Sequence, residues 1–168
     1  MAELAVVGEC PGVFRVGMYL NLAVTAWFGR LDKPAAQVLA QVTRTVLERL
    51  NGGRGMSVHL VDDRVQLPEP STREDLVQIM RDSAQFACVS VIVDGRGFWA
   101  SAFRGFITSV RVLGPRSYRV HEHGSIAEAV AWIPAEAQKL TGVTLDPAVL
   151  ERALSTAKHW QEQFRRAR

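Results

Sequence analysis

Residues 86–93, FACVSVIV, restrict the fold more than any other stretch of the chain. A strand with one wet face alternates apolar and polar side chains, and this one does not. Its positions are apolar on both faces, and Val89, Val91, Ile92 and Val93 are β-branched. Such a run predicts a strand inside a largely parallel sheet with a layer packed on each face. Asp94-Gly95 ends it, and the segment up to Gly114-Pro115 crowds in Phe98, Trp99, Phe103 and Phe106. Trp99, Phe103, Phe106 and Val110 fall near one helical stripe, and Arg104 and Arg111 are the charges between Phe98 and Leu113. A helix this apolar needs more cover than one sheet face gives. The final helix, a second subunit or an apolar ligand is the expected cover.

The other elements are expected to wrap this pair. Strands at Val13–Val16 and Leu20–Trp27, separated near Gly17, read as a hairpin. Asp32-Lys33-Pro34 opens an amphipathic helix that stops at Asn51-Gly52-Gly53. A strand at Ser57–Val61 ends in Asp62-Asp63. Ser71-Thr72-Arg73-Glu74 has the spacing of a capping box, and the helix after it turns Leu76, Ile79 and Met80 inward. Ser117–His121 is the last strand expected. A second capping box, Ser125 to Glu128, opens a helix that Pro134 is expected to kink or divide. Asp146-Pro147 caps a final helix with Val149, Leu150, Ala153, Leu154, Ala157, Trp160 and Phe164 on one stripe.

Alternating strands and helices require parallel strands with right-handed crossovers. The expected architecture is therefore α/β. It has a mixed sheet of about five strands, antiparallel at the N-terminal hairpin and parallel elsewhere, with an extra C-terminal helix. Residues 1–12 read as a lead-in, 13–142 as the domain and 143–168 as a C-terminal amphipathic helix.

Composition excludes several classes. No apolar run approaches the roughly 20 residues of a membrane span, and the N-terminus lacks the basic stretch of a secretory leader. Cys10 and Cys88 have no metal or redox spacing, so a reducing, cytoplasmic setting is expected. The formal charge of +3 comes from residues 147–168, leaving the body neutral. No nucleic-acid partner is expected. Membrane contact could come only through the last helix, whose basic side Glu151 and Glu162 dilute, so packing or dimerisation is preferred there.

Three features go with this element order: Gly29 after the second strand, Asp62 at the end of the third, and Ala129-Val130-Ala131-Trp132-Ile133 in a late helix. Together they resemble the STAS, or SpoIIAA-like, family of bacterial anti-sigma-factor antagonists over roughly Val13 to Leu140. The resemblance implies a SpoIIAA-like fold and regulation through protein contact. In that family a serine in an Asp-Ser-Ser-Gly turn, at the start of the helix after the third strand, is phosphorylated. Glu69-Pro70-Ser71-Thr72-Arg73 stands at that position here, without the aspartate and glycine. The resemblance makes Ser71 or Thr72 the acceptor, while an N-cap role for Ser71 follows from the residues alone.

Other groupings carry less. Asp62, Asp63 and Asp94 end two strands, where a metal-dependent phosphoryl-handling site could form. His121 and His123 share one strand face but lack a third ligand, and surface histidines are the expected reading. His59 reads as a half-buried strand residue. No catalytic residue, metal or cofactor is assigned. The expected function is a non-enzymatic bacterial regulator working through an unidentified protein partner, with a homodimer as a further option. The alternative is a small-molecule or lipid-binding module with an apolar pocket beside the 98–113 helix. Trp99, Phe103, Phe106, Val110, Trp160 and Phe164 are the candidate partner or ligand surface.

Overall fold

The computed structural model describes residues 4–115 and 119–167. Six strands form one sheet in sequential order: β1 (Ala5–Cys10), β2 (Phe14–Tyr19), β3 (Leu22–Trp27), β4 (Gly55–Asp62), β5 (Phe86–Asp94) and β6 (Val120–His123). The pairs β1/β2 and β2/β3 are antiparallel, and β3/β4, β4/β5 and β5/β6 are parallel. The helices are α1 (Lys33–Arg49), α2 (Arg73–Asp82), α3 (Gly97–Leu113), α4 (Ile126–Thr141) and α5 (Pro147–Arg166). Every residue of β5 from Phe86 to Val93 is buried, as its two apolar faces require.

The helix starts follow from local chemistry. Asp32 accepts from the Ala35 amide with Pro34 in the first turn, Ser125 accepts from the Glu128 amide, and Asp146 accepts from the Ala148 and Val149 amides. The box expected at Ser71 does not form. A short 3-10 turn at Pro70–Thr72 intervenes, Thr72 takes the cap position, and the Ser71 hydroxyl turns back to Glu69. α4 runs through Pro134 as one helix. Gly142, at positive φ, closes it, as a left-handed C-terminal residue does.

The N-terminal region departs from expectation in two ways. Residues 1–12 are not merely a lead-in, because Ala5–Cys10 form an edge strand with largely accessible side chains. The hairpin turn is at Leu20-Asn21, with Leu20 at positive φ, and β2 continues straight through Gly17. Gly17 is needed for space. A Cβ there would sit 2.7 Å from Leu4 Cγ and 2.9 Å from Trp160 Cη2. The C-terminal part of the expected last strand is β6, and Ser117 and Tyr118 lie outside the described residues.

The two faces of the sheet are packed differently. On one, Leu22, Val24, Val58, Leu60 and Ile92 meet Ile133 of α4 and Leu150, Leu154 and Trp160 of α5 in a single continuous core. On the other, the apolar contacts fall into separate groups. One joins Phe14, Val16 and Ala23 to α1, and another joins Val61, Val89 and Val91 to Ala100, Phe103 and Ile107 of α3.

Candidate functional site

Between these separate groups lies a cavity of about 170 Å³. Alternate residues of three neighbouring strands make its floor: Ala23, Thr25 and Trp27 of β3, Ser57 and His59 of β4, and Val91 of β5. Register aligns them, with Thr25 beside His59 and His59 beside Val91. The period of two in each strand puts all of them on one face. Val46 of α1, Ile79 of α2 and Phe103, Phe106, Ile107 and Val110 of α3 line the other side, and the space is partly open to solvent.

The floor carries a short polar strip. The Trp27 indole N–H donates to His59 Nδ1 at 3.1 Å. An indole nitrogen can only donate, so Nδ1 is the accepting nitrogen and the proton sits on Nε2. Nε2–H then donates to Ser57 Oγ, 3.1 Å away. The Trp27 and His59 rings also stack, with centroids 6.1 Å apart. Protein surrounds His59 except on its cavity side, and burial pushes its pKa down to about 4. A serine nucleophile needs an imidazole nitrogen that takes its proton. Here the nitrogen facing Ser57 already carries one, so the pair is arranged for donation rather than for base catalysis.

The six candidate surface residues do not form one surface. Phe103, Phe106 and Val110 line the cavity. Trp99 stacks on Phe103 at 5.3 Å and its indole N–H donates to the Val65 carbonyl at 2.8 Å, which pins the start of α3 to the loop after β4. Trp160 is buried on the opposite face of the sheet, and Phe164 stacks on Phe28 at 5.1 Å. α5 therefore does not cover α3, as one of the sequence expectations would have it. Phe98, grouped by sequence with the apolar stripe, is 90 % exposed.

The remaining candidates also find definite places. Thr72 is fully buried and its hydroxyl donates to the Glu69 carbonyl at 2.7 Å, whereas Ser71 is exposed. Asp62 pairs with Arg165 of α5 and accepts from the Arg64 amide; Asp94 pairs with Lys158 of α5 at 2.8 Å; Asp63 is exposed. α5 thus spends two of its cations on the acids at the strand ends. Among the described residues no group of three or more His, Cys, Asp or Glu side chains is placed to hold a metal.

Of the two histidines expected at the surface, His121 is exposed and His123 is not. His121 stacks on Trp132 at 4.0 Å, while His123 is buried beside Ser90. Burial, and then the neighbouring His121, lower the His123 pKa to about 4, against the opposing pull of Glu128. Burial and then Glu136 raise the Cys88 thiol to about 11, leaving it a small core hydrophobe. No helix among the described residues is long and apolar enough to cross a membrane.

The sequence reading named the α3 side of the cavity and missed its floor, singling out His59 only as a half-buried strand residue. The signal was there: Ser57 and His59 are polar at alternate positions of an otherwise apolar strand. Thr25 and Trp27 repeat that spacing in the strand before.

No protein-family model matches the chain, and no curated protein matches it. Among solved structures, the chain is similar to an uncharacterized protein from the DUF3478 family with a SpoIIAA-like fold, from Shewanella loihica PV-4. The two share 14% identity with a TM-score of 0.48, over 79% of this chain and 94% of that one. At that identity and overlap the likeness is one of chain path alone.

Proposed function

We propose that this chain is a non-enzymatic binding module for a small apolar molecule held between the sheet and α3. The single observation behind this is the cavity itself. Sheet–helix interfaces normally pack to crystal-like density, with few voids larger than a water. A space of about 170 Å³ walled by Trp27, Phe103, Phe106 and aliphatic side chains exceeds that by far. Apolar cavities of roughly 150 Å³ stay dry and accept benzene-sized molecules. The test uses a variant that fills the space. Ala23 lies beside Ser57 in the β3/β4 register, so Ala23→Leu puts a branched side chain into the cavity. Ethylbenzene is expected to raise the melting temperature of the wild type by several degrees and to leave Ala23→Leu unmoved. Equal responses from the two proteins would remove the reading.

A second reading, regulation through a protein partner, draws on the outer side of α3. Phe98, Val112 and Leu113 project from the same helix whose inner side walls the cavity, and Val112 is 76 % exposed. Large apolar side chains held in water are the usual raw material of an interface. A second copy of the chain is the first partner to test. Light scattering is expected to give a dimer that Phe98→Asp with Val112→Asp dissociates; a wild-type monomer removes the homodimer.

A further inference from the structure

The cavity floor says more about the occupant than its size does. Thr25 and Ser57 are 3 % and 5 % exposed, and both line the cavity. Ser57 Oγ accepts the proton of His59 Nε2, which leaves its own O–H without an acceptor among the described residues. Thr25 Oγ1 has no hydrogen bond among them at all. Among the described residues the sealed side-chain atoms without a partner are Asp75 Oδ2 and Gln85 Oε1, so Thr25 Oγ1 instead opens onto the cavity, where a ligand can take its proton. Two unused hydroxyls therefore sit on adjacent strands of one apolar cavity. The chain from Trp27 to His59 to Ser57 runs in one direction, and each member donates toward the next. What it lacks is a final acceptor.

We propose, resting on the binding reading above, that the cavity takes a small, uncharged aromatic molecule carrying one carbonyl oxygen, which Thr25 and Ser57 hold by hydrogen bonds. The aromatic part follows from the walls, since Trp27, Phe103 and Phe106 offer ring faces and edges. The lack of charge follows from the lining. Among the described residues its one permanently charged side chain is Arg111, an exposed residue, and an ion set among apolar walls without a counter-charge is strongly disfavoured. The carbonyl follows from the orphan donors. It is an acceptor that brings no competing proton, and an sp² oxygen has two lone pairs, one for each hydroxyl. The size follows from the volume, which holds a single substituted ring.

Acetophenone and ethylbenzene share shape and differ in that one oxygen, so they form the probe pair. Calorimetric or ligand-observed NMR titration of the wild type is expected to favour acetophenone by about tenfold, the worth of a hydrogen bond to an otherwise unpaired buried donor. Thr25→Val and Ser57→Ala are each expected to shrink that preference severalfold while ethylbenzene binds as before. Ethylbenzene thus reports that the cavity is intact in both variants. Equal affinity for the two probes in the wild type overturns the carbonyl assignment and leaves the binding reading standing. An acetophenone preference that survives both substitutions also overturns it. If neither probe binds the wild type, the binding reading falls and the assignment falls with it.

Discussion

A chain ending at Thr144 is expected not to fold. α5 is amphipathic and begins at an unambiguous cap, so by sequence it could be an appendage. Its contacts make it half of the cover on one face of the sheet. Leu150, Ala153, Leu154, Ala157 and Trp160 are buried in the same core as β3, β4 and α4. Gln161 adds a polar clamp, since its side-chain amide donates to the Trp27 carbonyl at 2.9 Å and the Leu60 carbonyl at 3.2 Å. Lys158 and Arg165 add the pairs with Asp94 and Asp62. Burying a leucine or similar side chain is worth roughly 1.5–3 kcal/mol. Removing the helix also exposes the strand residues beneath it. The loss is on the order of 10 kcal/mol, comparable with the whole 5–15 kcal/mol that holds a typical domain together. Far-UV circular dichroism with urea titration checks this. The full chain should give a cooperative transition and the truncated chain none. A truncated chain whose urea midpoint stays near that of the full chain would show that the rest of the molecule covers that face by itself.

How much of this could be read from the sequence depends on what each residue must satisfy. β5 was legible because a nearly unbroken apolar run, polar only at Ser90 before its closing Asp94, leaves a strand no choice but the interior. The starts of α1, α4 and α5 were legible because Asp32, Ser125 and Asp146 act on amides two or three residues away. β1 was not, because an edge strand with accessible side chains has no burial pattern to display. Gly17 misled for a different reason. Glycine marks a turn when its backbone freedom is used, but here it is the missing Cβ that matters, and Trp160 fills the space some 140 positions later in the chain. Gly29 follows the end of its strand as expected, yet there too the missing Cβ matters. A Cβ there would lie 2.3 Å from the Gly12 carbonyl oxygen, an approach that no local rule announces.

The site was less legible than the fold for a related reason. A helical stripe shows which side chains are buried, not which face of the sheet they meet, so Trp160 and Phe164 were grouped with α3 although they lie across the sheet from it. The cavity is an absence of side chains, and no residue spells an absence. What the sequence holds is its trace: Thr25, Ser57 and His59 on strands that are otherwise apolar. Only the β3/β4 register brings the three together.

Lowering the pH from 7 to 5 is expected to destabilise the protein by several kcal/mol, with His59 and His123 as the cause. His123 is buried, His59 is enclosed except on its cavity side, and both titrate near 4 when folded against about 6.5 when free. The sign follows from which state binds the proton. Above pH 6.5 the two histidines are neutral in both states and cost nothing. Below it the unfolded chain gains two protons that the folded chain resists until about pH 4, so stability falls as pH drops through that window. Each histidine contributes roughly 1.4 kcal/mol per pH unit there, and ordinary carboxylates remain ionised down to pH 5. The resistance of His59 has a geometric root. A proton added at Nδ1 would meet the Trp27 N–H head-on, so charging the ring breaks the bond that orients it toward Ser57. His59→Gln can offer Trp27 a carbonyl acceptor without a titratable proton, and His123→Gln does the same beside Ser90. Urea midpoints measured every half unit of pH should slope downward in the wild type below 6.5. Each single variant should about halve that slope, and the double variant should flatten it. A wild-type midpoint that does not move between pH 7 and 5 would mean that both rings take up a proton within the folded protein, and the neutral, donating strip on the cavity floor would have to be redrawn.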